Sequence, residues 1–195
     1  MFVEMDDKRF FLERFIKDNP ESKVIVFVRT RVRAERVLKA MERVQIDTLT
    51  IHGDKKQDDR SEVMKKFKDG RCRIMIATDV SARGIDVPDV NFVINYDLPD
   101  KPENYVHRVG RTGRGINLGV AISFCSKEEK ELLEEIQQLI NKDIEVIKLY
   151  KKDYNYIVSS AGEALSVEEM IDEHEQWEAN KKKRKKKSSK TAKKK

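Results

Sequence analysis

The amino-acid sequence predicts an α/β domain, a parallel sheet with helices on both faces, followed by an acidic helix and a disordered basic tail. Three observations lead there. Short runs rich in β-branched residues alternate with stretches of helical period. The runs, "KVIVFV" (23–28) among them, are too uniformly apolar to leave one face wet, which is the pattern of strands covered on both sides. The charge, finally, is divided along the chain. Residues 181–195, "KKKRKKKSSKTAKKK", hold 11 Lys/Arg and no acid, and residues 159–180 hold seven Asp/Glu and no Lys/Arg. The net charge of +6 therefore belongs to the tail, and bulk charge says nothing about what the nearly neutral body does.

The elements follow in order. After the strand at 23–28, Thr30 is placed to cap a helix in which Ala34, Val37, Leu38, Met41 and Val44 recur at helical spacing. "DTLTIH" (47–52) is strand-like and ends at Gly53. Val63, Met64 and Phe67 mark one face of a helix that stops near Gly70, and "CRIMIA" (72–77) and "VNFVINY" (90–96) are further strands. Pro102 is placed near the first position of a helix, which is taken as a supposition to continue through "PENYVHRVGRTGR". "GVAISFCS" (119–126) is the last strand, and a capping box, Ser126-x-x-Glu129, starts a helix through Leu132, Leu133, Ile136, Leu139 and Ile140.

These elements make one domain over residues 1–150. Residues 151–180 form an extension whose "SVEEMIDEHEQWEAN" opens with a second capping box, Ser166-x-x-Glu169. Residues 181–195 cannot bury enough apolar surface to order themselves. No run of eighteen apolar residues exists, so no membrane helix is expected, and "MFVEMDDKRF" lacks the layout of a signal peptide. Cys72 and Cys125 lie in apolar runs, which predicts two buried reduced thiols rather than a disulfide or metal site. A cytoplasmic protein is expected, with the nucleus open for a eukaryotic source because of the lysine tail.

In a sheet of this kind ligands bind outside the carboxyl ends of the strands. Polar segments bearing arginine and glycine fall there repeatedly: Thr30 and Arg31, "HGDKKQDDR" (52–60), "ATDVSARGID" (77–86), and "HRVGRTGR" (107–114) before the last strand. If the Pro102 helix continues, His107, Arg111 and Arg114 stand at i, i+4 and i+7 on one face, with Arg108 about a quarter-turn away. Gly110 and Gly113 would let another surface approach. Two co-facing guanidiniums suit a polyphosphate, while a generic basic surface for RNA stays open as an alternative. Thr78 offers a hydroxyl to a phosphate, Arg83 a charge, Gly84 close approach and Asp86 a carboxylate for sugar hydroxyls. Gln57 and Arg60, one turn apart, suit a nucleic-acid backbone.

Together, "VIVFVRT", "HGDKKQDDR", "ATDVSARGID" and "YVHRVGRTGR", in this order and spacing, resemble the second RecA-like domain of DEAD-box ATP-dependent RNA helicases. The resemblance spans residues 20–125, with "VINYDLP" (93–99) fitting the same pattern. It implies that Arg111 and Arg114 are arginine fingers for the γ-phosphate of ATP, that His107 links to the other domain, and that Arg108 is structural. It implies that Gly84 and Asp86 meet the ATP ribose. Thr30, Arg31, Gly53, Gln57, Arg60, Thr78, Asp79 and Arg83 are then expected to hold the RNA sugar-phosphate backbone without reading its sequence.

The departures matter as much. No G-x-x-x-x-G-K-[ST] loop and no D-E-A-D occur, and "DEHE" (172–175) lies in the acidic helix as a solvated face. The resemblance is to half of an enzyme. ATP with Mg²⁺ is expected to be held mainly by an N-terminal RecA-like domain, and the chain alone is expected to hydrolyse nothing. A sequence-tolerant RNA-binding module led by the tail, or a related DNA helicase or remodeller, are the alternatives.

Overall fold

The computed structural model describes residues 1–82, 87–113 and 119–159. The acidic helix and the lysine tail lie outside the described residues. Five strands, β1 (Val24–Val28), β2 (Leu49–Ile51), β3 (Ile74–Thr78), β4 (Phe92–Asn95) and β5 (Val120–Ser123), form one sheet in the order β2-β3-β1-β4-β5. Every pairing is parallel. The helices are α1 (Lys8–Asp18), α2 (Arg31–Arg43), α3 (Gln57–Lys68), α4 (Asp79–Ala82), α5 (Pro102–Val109), α6 (Lys130–Ile140) and α7 (Lys151–Ser159). A single 3-10 turn, Lys127–Glu129, leads into α6. This is the expected α/β architecture.

All five residues of β1 and all five of β3 are buried, apolar throughout in β1 and up to Thr78 in β3. Ile25, Phe27, Ile51, Phe67, Met75 and Val93 pack into one core cluster, and Leu98, Tyr105, Cys125 and Ile136 into a second beneath α5 and α6. Each such side chain contributes about 1.5–3 kcal/mol of burial. Cys72 and Cys125 are buried and unpaired, and burial pushes both thiols up. Thr30 caps α2 as its sequence position suggests, its hydroxyl accepting from the Arg33 N–H at 3.1 Å. The turn after α3 closes at Gly70, whose φ of 72° is the left-handed region that glycine enters without strain.

Glu129 completes the expected capping box, but it does far more. Its carboxylate accepts from the Ser126 N–H (3.0 Å), the Leu98 N–H (3.1 Å), Arg29 Nη2 (3.2 Å) and Lys8 Nζ (2.5 Å). Lys8 and Glu129 are both fully buried, with Asp97 Oδ1 3.7 Å from the amine. Burial pulls the Lys8 amine down, and Glu129 and Asp97 oppose that pull. The cluster joins α1, β1, β4 and α6 at one point.

Helices α1 and α7 belong to the domain although the sequence analysis placed neither. Phe11, Leu12 and Ile16 bury one face of α1. The α7 side chain Tyr154 stacks on Phe11 at 5.0 Å, donates to Asp7 Oδ2 at 2.7 Å and accepts from the Glu4 N–H at 3.0 Å. The compact unit accordingly runs Met1–Val158, eight residues past the boundary set from composition, because α7 is docked by an aromatic contact that composition does not show.

Candidate functional site

Three of the four candidate segments meet at the carboxyl edge of the sheet. Arg29, Thr30 and Arg31 follow β1, His52 and Gly53 follow β2, and Thr78 and Asp79 close β3. Helix α2 grips the turn after β2 at two points one helical turn apart. Arg31 pairs with Asp54, and Glu35 Oε1 takes His52 Nε2 at 2.9 Å and the Thr50 hydroxyl at 3.2 Å. For the Glu35 carboxyl, burial raises the pKa, but the bonds from His52 and Thr50 and the nearby Lys55 outweigh it and hold the group below its usual range. Gly53 is exposed with open space around it. Gln57 begins α3, and its side-chain oxygen takes Arg60 Nη1 at 3.3 Å. Thr78 differs from expectation: its hydroxyl is buried and donates to Ser81 Oγ at 3.5 Å instead of facing outward.

Asp79 also has an internal task. Its two oxygens take Arg108 Nε at 2.5 Å and Nη2 at 2.8 Å in a fork, while Arg108 Nη1 donates to the Asp97 carbonyl (2.7 Å) and Asn95 Oδ1 (3.3 Å). The guanidinium lies 5.1 Å above the Phe27 ring, and Arg108 is 1% exposed. Arg108 is thus a buried strut between the ends of β3 and β4, as the resemblance implied.

Helix α5 is shorter than expected, which changes the geometry of "HRVGRTGR". It ends at Val109, with Gly110 as its C-cap. The Arg111 and Thr112 amides donate to carbonyls three residues back, Arg108 at 3.0 Å and Val109 at 3.1 Å, so the chain tightens into a turn. The cause is Thr112, buried, with its hydroxyl donating to the Val90 carbonyl at 2.6 Å and the Asn91 carbonyl at 3.2 Å. Those carbonyls precede β4, so this turn sits beside the amino end of β4. The Arg108 side chain reaches back to the carboxyl edge. His107 is exposed, and Arg111, partly exposed, donates from Nε to the His107 carbonyl at 3.1 Å. The contact between His107 and Arg111 thus runs from a side chain to a backbone carbonyl within the turn. Arg114, Arg83, Gly84 and Asp86 lie outside the described residues.

Gly119 was not singled out in the sequence. A Cβ there would overlap Thr112 Oγ1 and the Gly113 amide nitrogen, so the chain entering β5 crosses the α5 turn at backbone distance. Gly113, with φ of 70°, makes the reversal.

A parallel sheet whose carboxyl edge carries these turns, with one arginine of the last segment sealed inside and the next presented on a tight turn, defines a RecA-like helicase domain of the C-terminal type. Residues 7–115 match the helicase conserved C-terminal domain. The chain belongs to that family, as the C-terminal RecA-like domain of a DEAD-box RNA helicase. It is 43% identical over 143 residues to the ATP-dependent RNA helicase DeaD of Buchnera aphidicola, covering 73% of this chain and 24% of that protein. It is 45% identical over 148 residues to the probable ATP-dependent RNA helicase DDX17 of Homo sapiens, covering 72% and 20%. The chain therefore spans about a quarter or less of the length of these relatives. Among solved structures, the E. coli DEAD-box protein SrmB bound to the regulator of ribonuclease activity A superposes with a TM-score of 0.69 at 35% identity, covering 75% of this chain and 88% of that one. S. cerevisiae Dbp5 bound to RNA and ADP BeF3 gives 0.70 at 33%, covering 81% and 42%.

Proposed function

We propose that this domain works in an ATP-dependent RNA helicase by supplying arginine fingers to ATP held by an N-terminal RecA-like domain, and by holding part of the RNA backbone. The observation that carries this reading is the sorting of the arginines: Arg108 is spent inside on Asp79, Asn95 and Asp97, while Arg111 is set on a turn beside exposed His107. Arg111 and Arg114 then stabilise charge on the transferring phosphoryl group, His107 meets the facing domain, and Gly84 and Asp86 meet the ribose.

Thr30, Arg31, Gly53, Gln57, Arg60 and Arg83 hold RNA phosphates and sugars from the carboxyl edge, which positions the strand without reading it. Thr78 and Asp79 act there through the shape of their turn, since their side chains bond inward. Mg²⁺ falls to the other domain. At this edge Asp79 is already paired with Arg108 and Asp97 with Lys8 and Arg33.

The test is Arg111→Ala in the protein that carries both halves. RNA-stimulated ATP hydrolysis should fall by on the order of 10³–10⁵, the usual cost of a lost arginine finger, with the circular dichroism spectrum unchanged. Turnover near that of the parent refutes the assignment.

A further inference from the structure

Helix α2 has two working faces. Arg31 and Glu35 point to the turn after β2, and on the opposite side Arg33, Arg36, Val37 and Ala40 follow at i, i+3, i+4 and i+7 toward α1. Between that second face and the start of α1 lies a cavity of about 370 Å³, walled also by Met5, Arg9 and Tyr96. Its size is that of a site for a few side chains or a small ligand.

Arg33 is held in place. Its Nη2 lies 3.3 Å from Asp97 Oδ1 and 2.7 Å from Met5 Sδ, its guanidinium lies 5.3 Å above the Tyr96 ring, and its Nε is buried with no hydrogen-bond partner. An unsatisfied buried donor of this kind is rare and costly. Arg9 and Arg36 are exposed, and neither has a carboxylate partner among the described residues. Asp6 is the one acid in the wall and Asp97 already answers Arg33, so Arg9 and Arg36 against Asp6 leave a net positive charge.

The surplus asks for an anion, and the floor narrows which. Met5 and Ala40, both half-buried, present thioether and methyl surface over the buried Val37. Tyr96 is 4% exposed and its ring already lies beneath Arg33, so the cavity has no free aromatic platform on which a base could stack. An aliphatic side chain flanked by carboxylates fits where a nucleic-acid strand does not. We propose that this pocket docks an acidic peptide segment of a partner protein, a leucine-sized side chain entering against Met5 and Ala40 while its flanking carboxylates pair with Arg9 and Arg36. The site lies on the opposite side of α2 from Arg31 and Glu35, the side chains that face the turn after β2.

The test uses the full chain and the peptide Glu-Asp-Glu-Leu-Glu-Asp-Glu labelled with fluorescein, followed by anisotropy. The lysine tail will attract any acidic peptide, so the measurement is made in saturating decauridylate, which occupies the tail. Binding that persists should weaken at least tenfold with Arg36→Glu, at least tenfold with Arg9→Glu on the other helix, and at least tenfold when serine replaces the peptide's leucine. Arg36 makes no ion pair among the described residues, so thermal unfolding of Arg36→Glu should match the parent. If that variant is unstable, Arg9→Glu carries the test. Affinity indifferent to both arginines, complete displacement by decauridylate, or no binding at all would each overturn the proposal; the second would assign the peptide's binding to the lysine tail.

Discussion

Replacing Arg108 by lysine keeps the charge and removes the fork. In the parent, Arg108 makes four hydrogen bonds, two to Asp79 and one each to Asn95 and the Asp97 carbonyl, from donors on three different nitrogens. A lysine amine is a single point and cannot serve both sides of the crevice, so two or three of these bonds are lost. At about 1 kcal/mol for a neutral acceptor and about 1.5–3 for a charged one, the loss is about 3 kcal/mol. That agrees with the lower end of the 3–5 kcal/mol typical of breaking a buried ion pair. For a domain of this size, about 3 kcal/mol lowers Tm by roughly 6–12 °C.

Urea and heat unfolding of the full chain, followed by circular dichroism at 222 nm, measure it directly. Asp79→Asn supplies the other arm of a double-mutant cycle, and the two changes should couple by more than about 1 kcal/mol because they act on one contact. Arg108→Lys within about 0.5 kcal/mol of the parent, or additive single changes, would refute the strut and return Asp79 to the solvent-facing role the sequence suggests.

Two further outcomes are expected. Gly119→Ala forces a Cβ into Thr112 Oγ1 and the Gly113 backbone, and should cost about 1–3 kcal/mol by the same unfolding assay. An unchanged midpoint would show that the crossing is not tight. Burial pushes the Tyr96 hydroxyl up to about 12, above the value near 10 of an unfolded tyrosine. The stability this confers is whole below pH 10 and is lost as pH rises toward 12, because the unfolded chain gives up the proton first. Tyr96→Phe should flatten the fall in urea midpoint between pH 10 and 12, leaving the share due to Tyr154, also raised to about 12. An equal slope in parent and variant would contradict the burial argument.

The central strand was legible because burial on both faces leaves a run with no polar position, and β1 reads that way letter by letter, with β3 departing from it only at Thr78. Helices α2 and α6 were legible because their caps are local: Thr30 reaches three residues on, and Ser126 and Glu129 bond to each other. What was not legible is long-range. Glu129 looks like a cap residue in the sequence, and nothing there reveals that Lys8, 121 positions away, is its main partner. The end of α5 was missed for the same reason. Gly110 alone is a weak stop, and the decisive bond runs from Thr112 to Val90, 22 positions earlier. Helix α1 could have been found, since Phe11, Leu12, Phe15 and Ile16 recur one turn apart. Of the candidate site, the segments were identifiable by residue type, but which side chains face inward was not, because that depends on partners such as Asp79 for Arg108.

The Tyr154 clasp has a mechanical meaning. One side chain holds the chain near Glu4 and Asp7, where it comes in, to α7, where it goes out. A pull applied between whatever precedes and whatever follows this domain acts across that clasp. Peeling α7 from α1 costs two hydrogen bonds and one ring contact, whereas Met1 and Val3 are held by backbone bonds to Ser123 and Cys125 at the end of β5. Such a pull therefore meets a side-chain seam at α7 and a backbone pairing at the end of β5.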